Sequence, residues 1–154
     1  MRYQGLDHVG FTVASLDRSI PFYTMLLGEE PVARLAWEPG ADEFVGRIIG
    51  YDGLAIEAAF WNLPGGAILE LLEYHHPPTA HVDMETYNVG NAHLGLRTDD
   101  IHRDFERLRE HAEFRHHEPV EIPSGPAKDG YAIYLRDPDG ITIEIVQAPP
   151  QGLV

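Results

Sequence analysis

The chain has 154 residues, enough for one ordinary domain or for two small modules that share a core. Its formal net charge of −14 repels phosphate backbones and anionic lipid surfaces, so nucleic acids and membranes are not expected as partners. The absence of cysteine excludes disulfides and thiolate metal sites and leaves His, Asp and Glu as possible metal ligands. No segment has the pattern of a signal peptide or a membrane span, and the expected location is the cytoplasm.

A strand, a helix and further strands are predicted in the first half. LDHVGFTV (6–13) alternates apolar and polar residues, which is typical of a half-buried strand. Apolar residues then recur at helical spacing between Ser15, a possible N-cap, and Gly28, a possible C-terminal stop. The other elements predicted in this half are an irregular loop or poorly ordered strand (37–53) and two strands (54–61 and 67–74).

The same pattern restarts after a linker that contains two adjacent prolines. Asp99 or Asp100 can cap a helix whose apolar face begins at Ile101. The strands predicted in this half are AHLGLRT (92–98), YAIYLR (131–136) and ITIEIVQ (141–147). The predicted organisation is an N-terminal module (1–74), a linker (75–91), a C-terminal module (92–148) and a tail (149–154), which together form one domain.

The two halves form an internal repeat. An offset of 85 residues aligns His8 with His93, and an offset of 74 residues aligns Glu70 with Glu144. Each half therefore has a His on its first strand and a Glu on its last strand. We predict an α+β fold in which two such modules form one curved, barrel-like mixed sheet with the helices outside.

Four side chains of this repeat indicate a metal site. His8, Glu70, His93 and Glu144 each lie opposite the apolar, helix-packing face of their strands, because successive strand side chains point to opposite faces. Buried carboxylates are costly unless they are paired or bound to a metal. Two Glu and two His suit one divalent ion such as Zn, Ni, Co, Mn or Fe, with up to two coordination positions left open.

One such residue alone carries little weight, because a strand His is more often hydrogen-bonded or exposed to solvent. The recurrence of both residue types in the repeat favours the metal site. Arg97, on the same strand face as His93, is predicted to be either a salt-bridged residue or a clamp for an anion. The residues predicted to lie at the surface are Glu73 and the other histidines, His75, His76, His81, His102, His111, His116 and His117.

The chain resembles the vicinal oxygen chelate superfamily in four segments: LDHVGFTVASLDRSIPFYTMLLG, GGAILELLEY, NAHLGLRTDDI and YLRDPDGITIEIVQ. That superfamily includes glyoxalase I, methylmalonyl-CoA epimerase, extradiol dioxygenases and the fosfomycin and bleomycin resistance proteins. The resemblance implies paired βαβββ modules, the glyoxalase/bleomycin resistance/dioxygenase fold, and a homodimer. In the glyoxalase and epimerase branches, the metal-binding motif positions correspond here to His8, Glu70, His93 and Glu144.

The resemblance also implies a reaction. In these branches a divalent metal chelates two neighbouring substrate oxygens and assists the removal of a proton next to a carbonyl. It implies Glu144 as the first choice of general base and Glu70 as the opposing base. The substrate is expected to be a small anionic molecule. Arg97 is the predicted contact, and Arg34, Arg47 and Lys128 in loops are open alternatives. The expected enzyme class is isomerase, epimerase or lyase.

Two alternative functions stay open. An extradiol-type Fe(II) dioxygenase would use His8, His93 and Glu144 as its metal triad, but Glu70 would block a position that catecholate or O₂ needs. A non-catalytic protein that sequesters a small molecule such as an antibiotic would have an aromatic cleft. The aromatic residues available for such a cleft are Trp37, Trp61, Tyr87 and Tyr131.

Overall fold

The structure is a computed structural model that describes residues 2–40 and 43–149. The chain divides into two compact units, residues 1–82 and 83–154. The predicted α+β class and the repeated modules are confirmed. The described strands form one mixed sheet in each unit and are not joined into the one barrel-like sheet that the sequence predicted. The module limits at 74 and 92 stay predictions. None of the described helices has the length and hydropathy needed to cross a bilayer.

The first unit is a four-stranded sheet with the strand order β1-β4-β3-β2. Its elements are β1 (His8–Thr12), α1 (Leu16–Leu27), β2 (Ala33–Trp37), α2 (Glu43–Ile49), β3 (Ala55–Asn62) and β4 (Ile68–His76). Helix α1 starts after Ser15 and ends at Gly28, as predicted, and Pro21 lies inside it. Tyr23 of α1 and Trp61 of β3 are both buried, with ring centroids 6.1 Å apart, so they belong to the core of this unit.

The second unit repeats this arrangement around a sheet with the strand order β5-β9-β8-β6, and β7 pairs with β8. Its elements are β5 (His93–Thr98), α3 (Ile101–Leu108), β6 (Glu113–Phe114), β7 (Val120–Glu121), β8 (Tyr131–Arg136) and β9 (Thr142–Gln147). The Asp100 carboxylate accepts a hydrogen bond from Arg103 N at 3.0 Å, so the predicted helix cap is confirmed. The glycines that the repeat aligns, Gly66 and Gly140, both have positive φ, near 90° and 82°.

The prediction for residues 37–53 was wrong, because the segment contains helix α2, a short helix with no counterpart among the described residues of the second unit. Gly46, in the middle of α2, has a low helix propensity, which weakens the helical signal in the sequence. A side chain at position 46 would clash, because a Cβ there would lie only 2.6 Å from the carbonyl oxygen of Tyr51. Close packing of the helix against the following turn therefore requires glycine at this position.

Glu73 has a specific structural role. Its carboxylate is half-buried on the face opposite Glu70 and accepts a hydrogen bond from Leu16 N at 2.7 Å, at the start of α1. The hydroxyl of Ser15 makes no capping hydrogen bond. In the second unit, Gln147 Oε1 accepts a hydrogen bond from Ile101 N at 2.8 Å, at the start of α3. The internal repeat therefore extends to a pair of helix caps supplied by the last strand of each sheet.

We expect the Glu73→Leu substitution to lower the free energy of unfolding by about 1–2 kcal/mol, because it leaves a helix N–H without its acceptor. Glu73→Gln introduces the residue type found at position 147 and should lower the free energy of unfolding by less than half as much. Urea unfolding followed by circular dichroism measures both values. Equal stabilities of the Leu and Gln variants would show that the hydrogen bond to Leu16 contributes nothing.

Candidate functional site

In the first unit, Glu70 lies at the centre of a short row of residues across the sheet. Strand β1 runs parallel to β4 and places Gly10 opposite Glu70, while antiparallel β3 places Phe60 opposite Glu70 on the other side. His8, two residues before Gly10, shares this face. The predicted alternation of β1 and β4 is therefore confirmed, and His8 and Glu70 lie on one face of one sheet.

The imidazole of His8 lies between two carboxylates. His8 Nδ1 is 2.8 Å from Asp7 Oδ1, and His8 Nε2 is 4.0 Å from Glu70 Oε2. The hydrogen bond with Asp7, together with the negative charge of Glu70, raises the pKa of His8 above its usual value. The contact with Asp7 fixes the ring and leaves Nε2 as the nitrogen directed toward Glu70, as in metal sites where a carboxylate orients a ligating histidine.

In the second unit, the same arrangement surrounds Glu144. Strand β5 places Gly95 opposite Glu144, and β8 places Tyr134 opposite Glu144 on the other side. His93 Nε2 is 3.1 Å from Glu144 Oε2 and 3.4 Å from the Tyr134 hydroxyl. Burial and the negative charge of Glu144 raise the pKa of Tyr134.

The four predicted ligands are thus brought together as two pairs. His8 lies with Glu70 in the first unit, and His93 lies with Glu144 in the second. Within residues 2–40 and 43–149, no group of three or more His, Asp or Glu side chains is arranged to hold a metal. Each unit therefore presents two suitable donors, one imidazole and one carboxylate, and not a complete ligand set.

Arg97 is exposed and shares the strand face of His93 and Glu144, opposite Val146 in the register. No salt bridge of Arg97 occurs among the described residues. Arg34 is less suitable for binding an anion, because Asp17 and Glu57 already hold its guanidinium at 2.8 and 2.9 Å. Arg97 is therefore the better placed of these two cations.

The other histidines are exposed, as predicted. His75 pairs with Glu57 at 3.1 Å. His102 packs edge-on against Tyr131, whose register position opposite Gln147 puts it on the helix-facing side of the sheet. Tyr131 therefore does not share the face of Glu144, and Trp61 is a core residue. Two of the four aromatic residues predicted for a sequestering cleft are thus not available to line it.

The sequence analysis missed the aromatic neighbour of each carboxylate, although the repeat contained its signal. The offset that aligns Glu70 with Glu144 also aligns Phe60 with Tyr134, so the aromatic neighbour of each carboxylate was detectable. Gly10 and Gly95 stand on the opposite side of these carboxylates. A Cβ at Gly10 would lie 3.2 Å from Glu70 Oε2, and one at Gly95 would lie 3.8 Å from Glu144 Oε2.

Because the space beside Gly10 is tighter than the space beside Gly95, an added methyl group should have different effects at the two positions. Gly10→Ala should weaken the binding of a divalent metal about 10-fold, because the new methyl group displaces the Glu70 carboxylate, and outer contacts of this kind typically change metal affinity 10- to 100-fold. Gly95→Ala is the matched control and should change the affinity less than about 3-fold, since its methyl group has ordinary contact space. Competition with a chelating dye measures both. Equal effects of the two substitutions would contradict the role of Gly10.

Two surface cavities are lined by residues other than those of the two His–Glu pairs. One, of about 350 Å³, is lined by Glu38, Pro39, Gly40, Gly46, Arg47, Tyr51, Asp52, Gly53 and Leu54. The other, of about 400 Å³, is lined by Phe105, Arg109, Ala112, Phe114, Arg115, His116 and His117. Neither includes a predicted ligand, so the chemistry of the two His–Glu pairs is the stronger indication of a site.

The chain is similar in sequence and fold to several known proteins. The chain is 30% identical over 151 residues to a lactoylglutathione lyase from Salmonella typhimurium, covering 96% of this chain and 95% of the relative. It is 28% identical over 146 residues to a 2-epi-5-epi-valiolone epimerase from Actinomyces sp., covering 94% and 79%. Its fold matches a solved glyoxalase family protein from Bacillus cereus, with a TM-score of 0.76, 26% identity and 97% of both chains covered.

The family profile described as Glyoxalase/Bleomycin resistance protein/Dioxygenase superfamily matches residues 5–145. The match spans both sheets and both His–Glu pairs. The chain therefore belongs to the glyoxalase/bleomycin resistance protein/dioxygenase superfamily.

Proposed function

We propose that this chain is a divalent-metal-dependent isomerase, epimerase or lyase that removes a proton next to a carbonyl group. The observation that carries the proposal is the repeated His–Glu pair, set beside a glycine on one face of each sheet. Two relatives carry the names of a lactoylglutathione lyase and an epimerase, which supports this chemical class.

The proposed ligands are His8 and Glu70 from one unit and His93 and Glu144 from the other. Their chemistry fits a Zn, Ni, Co, Mn or Fe ion, because imidazole and carboxylate suit borderline divalent metals and the chain contains no thiolate. Two carboxylates balance the ion's charge, and each His–Glu pair already has an Nε2 atom facing a carboxylate oxygen. When bound, the ion supplies Lewis-acid stabilisation of the negative charge that develops on the substrate.

Glu144 is the proposed general base, and Glu70 is the opposing base. Both side chains are largely but not fully buried, with 24% and 21% of their surface exposed, so each is within reach of a substrate that lies on the sheet face. One active base gives isomerisation when it delivers the proton to the neighbouring carbon, on the face from which the proton came. Two opposing bases give epimerisation, because one removes the proton and the other donates a proton on the opposite face.

The proposed substrate is a small anionic molecule with two neighbouring oxygens, and Arg97 is its proposed contact. An exposed guanidinium on the face of His93 and Glu144 can pair with a carboxylate or phosphate of the substrate. Because this contact is uniform through the reaction, Arg97→Ala should raise KM about 10-fold and leave kcat nearly unchanged. A drop in kcat without a change in KM would contradict this role.

We also propose a homodimer. Light scattering coupled to size-exclusion chromatography should give a mass about twice that of the 17.3 kDa chain. Mixing refolded His8→Ala and His93→Ala chains then assigns the pairs that share an ion. Recovery of metal binding in the mixture assigns them to different chains, and no recovery assigns them to the same chain.

The test of the function is a substrate screen with protein reloaded with each metal. Thiol adducts of 2-oxoaldehydes and acyl-CoA epimers are incubated in D₂O, and isomerisation and deuterium uptake are followed by NMR. The proposal predicts turnover of at least one class by the metal-loaded parent and none by protein treated with a chelator. Cleavage of a catechol with O₂ by the iron-loaded protein would instead identify a dioxygenase.

A further inference from the structure

The two site-facing rows are built alike, except for one hydroxyl group. In the first unit the row is Gly10, Glu70 and Phe60, and in the second it is Gly95, Glu144 and Tyr134. The registers are the same in both sheets, a glycine on the parallel neighbour and an aromatic ring on the antiparallel neighbour. A hydrogen-bond donor next to the carboxylate is therefore present in the second row, where the first has the apolar ring of Phe60.

The hydroxyl of Tyr134 lies beside the imidazole of His93. It is 3.4 Å from His93 Nε2, and the same nitrogen is 3.1 Å from Glu144 Oε2. The rings of His93 and Tyr134 pack with centroids 5.2 Å apart, which holds the phenol beside the imidazole. Three polar atoms from three adjacent strands thus converge on one point of the sheet face.

Metal binding changes what the hydroxyl can do. With His93 Nε2 as a metal ligand, the lone pair of this nitrogen would be in the metal bond and would no longer accept a hydrogen bond from the phenol. The proton of Tyr134 is then available to an acceptor next to Glu144. A substrate oxygen that gains negative charge while Glu144 removes the neighbouring proton is such an acceptor, and fixed donors aimed at developing charge are a large source of rate enhancement.

We propose that Tyr134 is a further catalytic residue, which donates a hydrogen bond to the substrate oxygen that becomes the enolate oxygen. The proposal rests on the proposed function. In the step, the C–H proton moves to the Glu144 carboxylate and the C–H electron pair forms the carbon–carbon double bond of the enolate. The carbonyl π pair moves to the oxygen, and the Tyr134 hydroxyl stabilises its charge. Glu144 then delivers this proton to the former carbonyl carbon, while the hydroxyl on the neighbouring carbon gives its proton to the enolate oxygen and becomes the new carbonyl, which completes a redox-neutral isomerisation.

The consequence is that the two halves of the site are chemically unequal. Glu144 has a hydrogen-bond donor beside it, the Tyr134 hydroxyl on β8. Glu70 has the apolar ring of Phe60 at the matching position of β3. Glu144 should therefore carry most of the deuterium exchange, and Glu70 should be the slower base.

The variant that tests this is Tyr134→Phe, which makes the second row identical in residue type to the first. Tyr131→Phe is the matched control, because it removes a phenol from the same strand on the opposite face. With zinc-loaded protein, Tyr134→Phe should lower kcat about 100-fold, as loss of one oxyanion donor does, with KM changed less than about 3-fold. Tyr131→Phe should leave both constants nearly unchanged.

A second measurement does not depend on turnover. Acetohydroxamate is a small anion with two neighbouring oxygens, and calorimetry of zinc-loaded protein should show about 10-fold weaker binding in Tyr134→Phe and parent-like binding in Tyr131→Phe. Zinc content should be the same in all three proteins. Parent-like hydroxamate affinity and kcat in Tyr134→Phe would overturn this inference but not the proposed function. Loss of zinc from Tyr134→Phe would also overturn it, because Tyr134 would then be a structural residue. A parent that takes up neither zinc nor hydroxamate would contradict the proposed function as well.

Discussion

The Glu144→Gln protein should keep its metal and lose solvent-deuterium exchange into substrate by a factor of about 10³ or more, because the amide cannot accept the substrate proton. The substitution preserves size and leaves a carbonyl oxygen as a possible ligand. It also preserves the place of the side chain between Gly95 and Tyr134. The exchange rate of metal-loaded protein in D₂O, followed by NMR, measures the effect.

Glu70→Gln is the matched comparison for this experiment. It makes the same chemical change at the repeat-related position, beside Gly10 and Phe60. We expect a smaller loss of exchange than in Glu144→Gln, and a larger loss of epimerisation than of isomerisation if both products form. Unchanged exchange in Glu144→Gln at full metal occupancy would remove Glu144 from the role of base.

His93→Ala should weaken metal binding by at least about 10²-fold, because it removes one of the two proposed imidazole ligands and leaves Glu144 without its 3.1 Å partner. His8→Ala should have a comparable effect, since the repeat gives the two imidazoles equivalent positions. Competition with a chelating dye, at a pH where free imidazole is neutral, measures these affinities.

His111→Ala is the control for nonspecific loss of a histidine, because His111 is an exposed residue of the second unit. It should retain the affinity of the parent. Urea unfolding of the metal-free proteins checks that the variants are folded. Parent-like affinity in both His8→Ala and His93→Ala would show that the metal, if bound, lies elsewhere.

Most of the sheet framework could be predicted from the sequence, for a physical reason. Strand side chains alternate, so the leucines around His93 and the apolar residues around Glu144 determined which face each polar group occupies. The repeat then related β1 to β5 and β4 to β9. These two signals together brought His8 to the face of Glu70 and His93 to the face of Glu144.

Other features depend on contacts that no local pattern contains. The two-residue strands β6 and β7 are too short to show alternation, and α2 has a glycine where a helix is weakened. The capping role of Glu73 requires the last strand to lie beside the start of α1, more than 50 residues away in the chain. The repeat aligns Tyr134 with Phe60, but its place opposite Glu144 and the 3.4 Å distance from its hydroxyl to His93 Nε2 came only from the structure.

The central claim is that His8, Glu70, His93 and Glu144 hold one divalent ion, and elemental analysis of tag-free protein purified without chelator tests it most directly. The account predicts about one equivalent of Zn, Ni, Co, Mn or Fe per chain in the parent and little in His93→Ala. No metal in the parent, even after reloading with each of these ions, would contradict the claim.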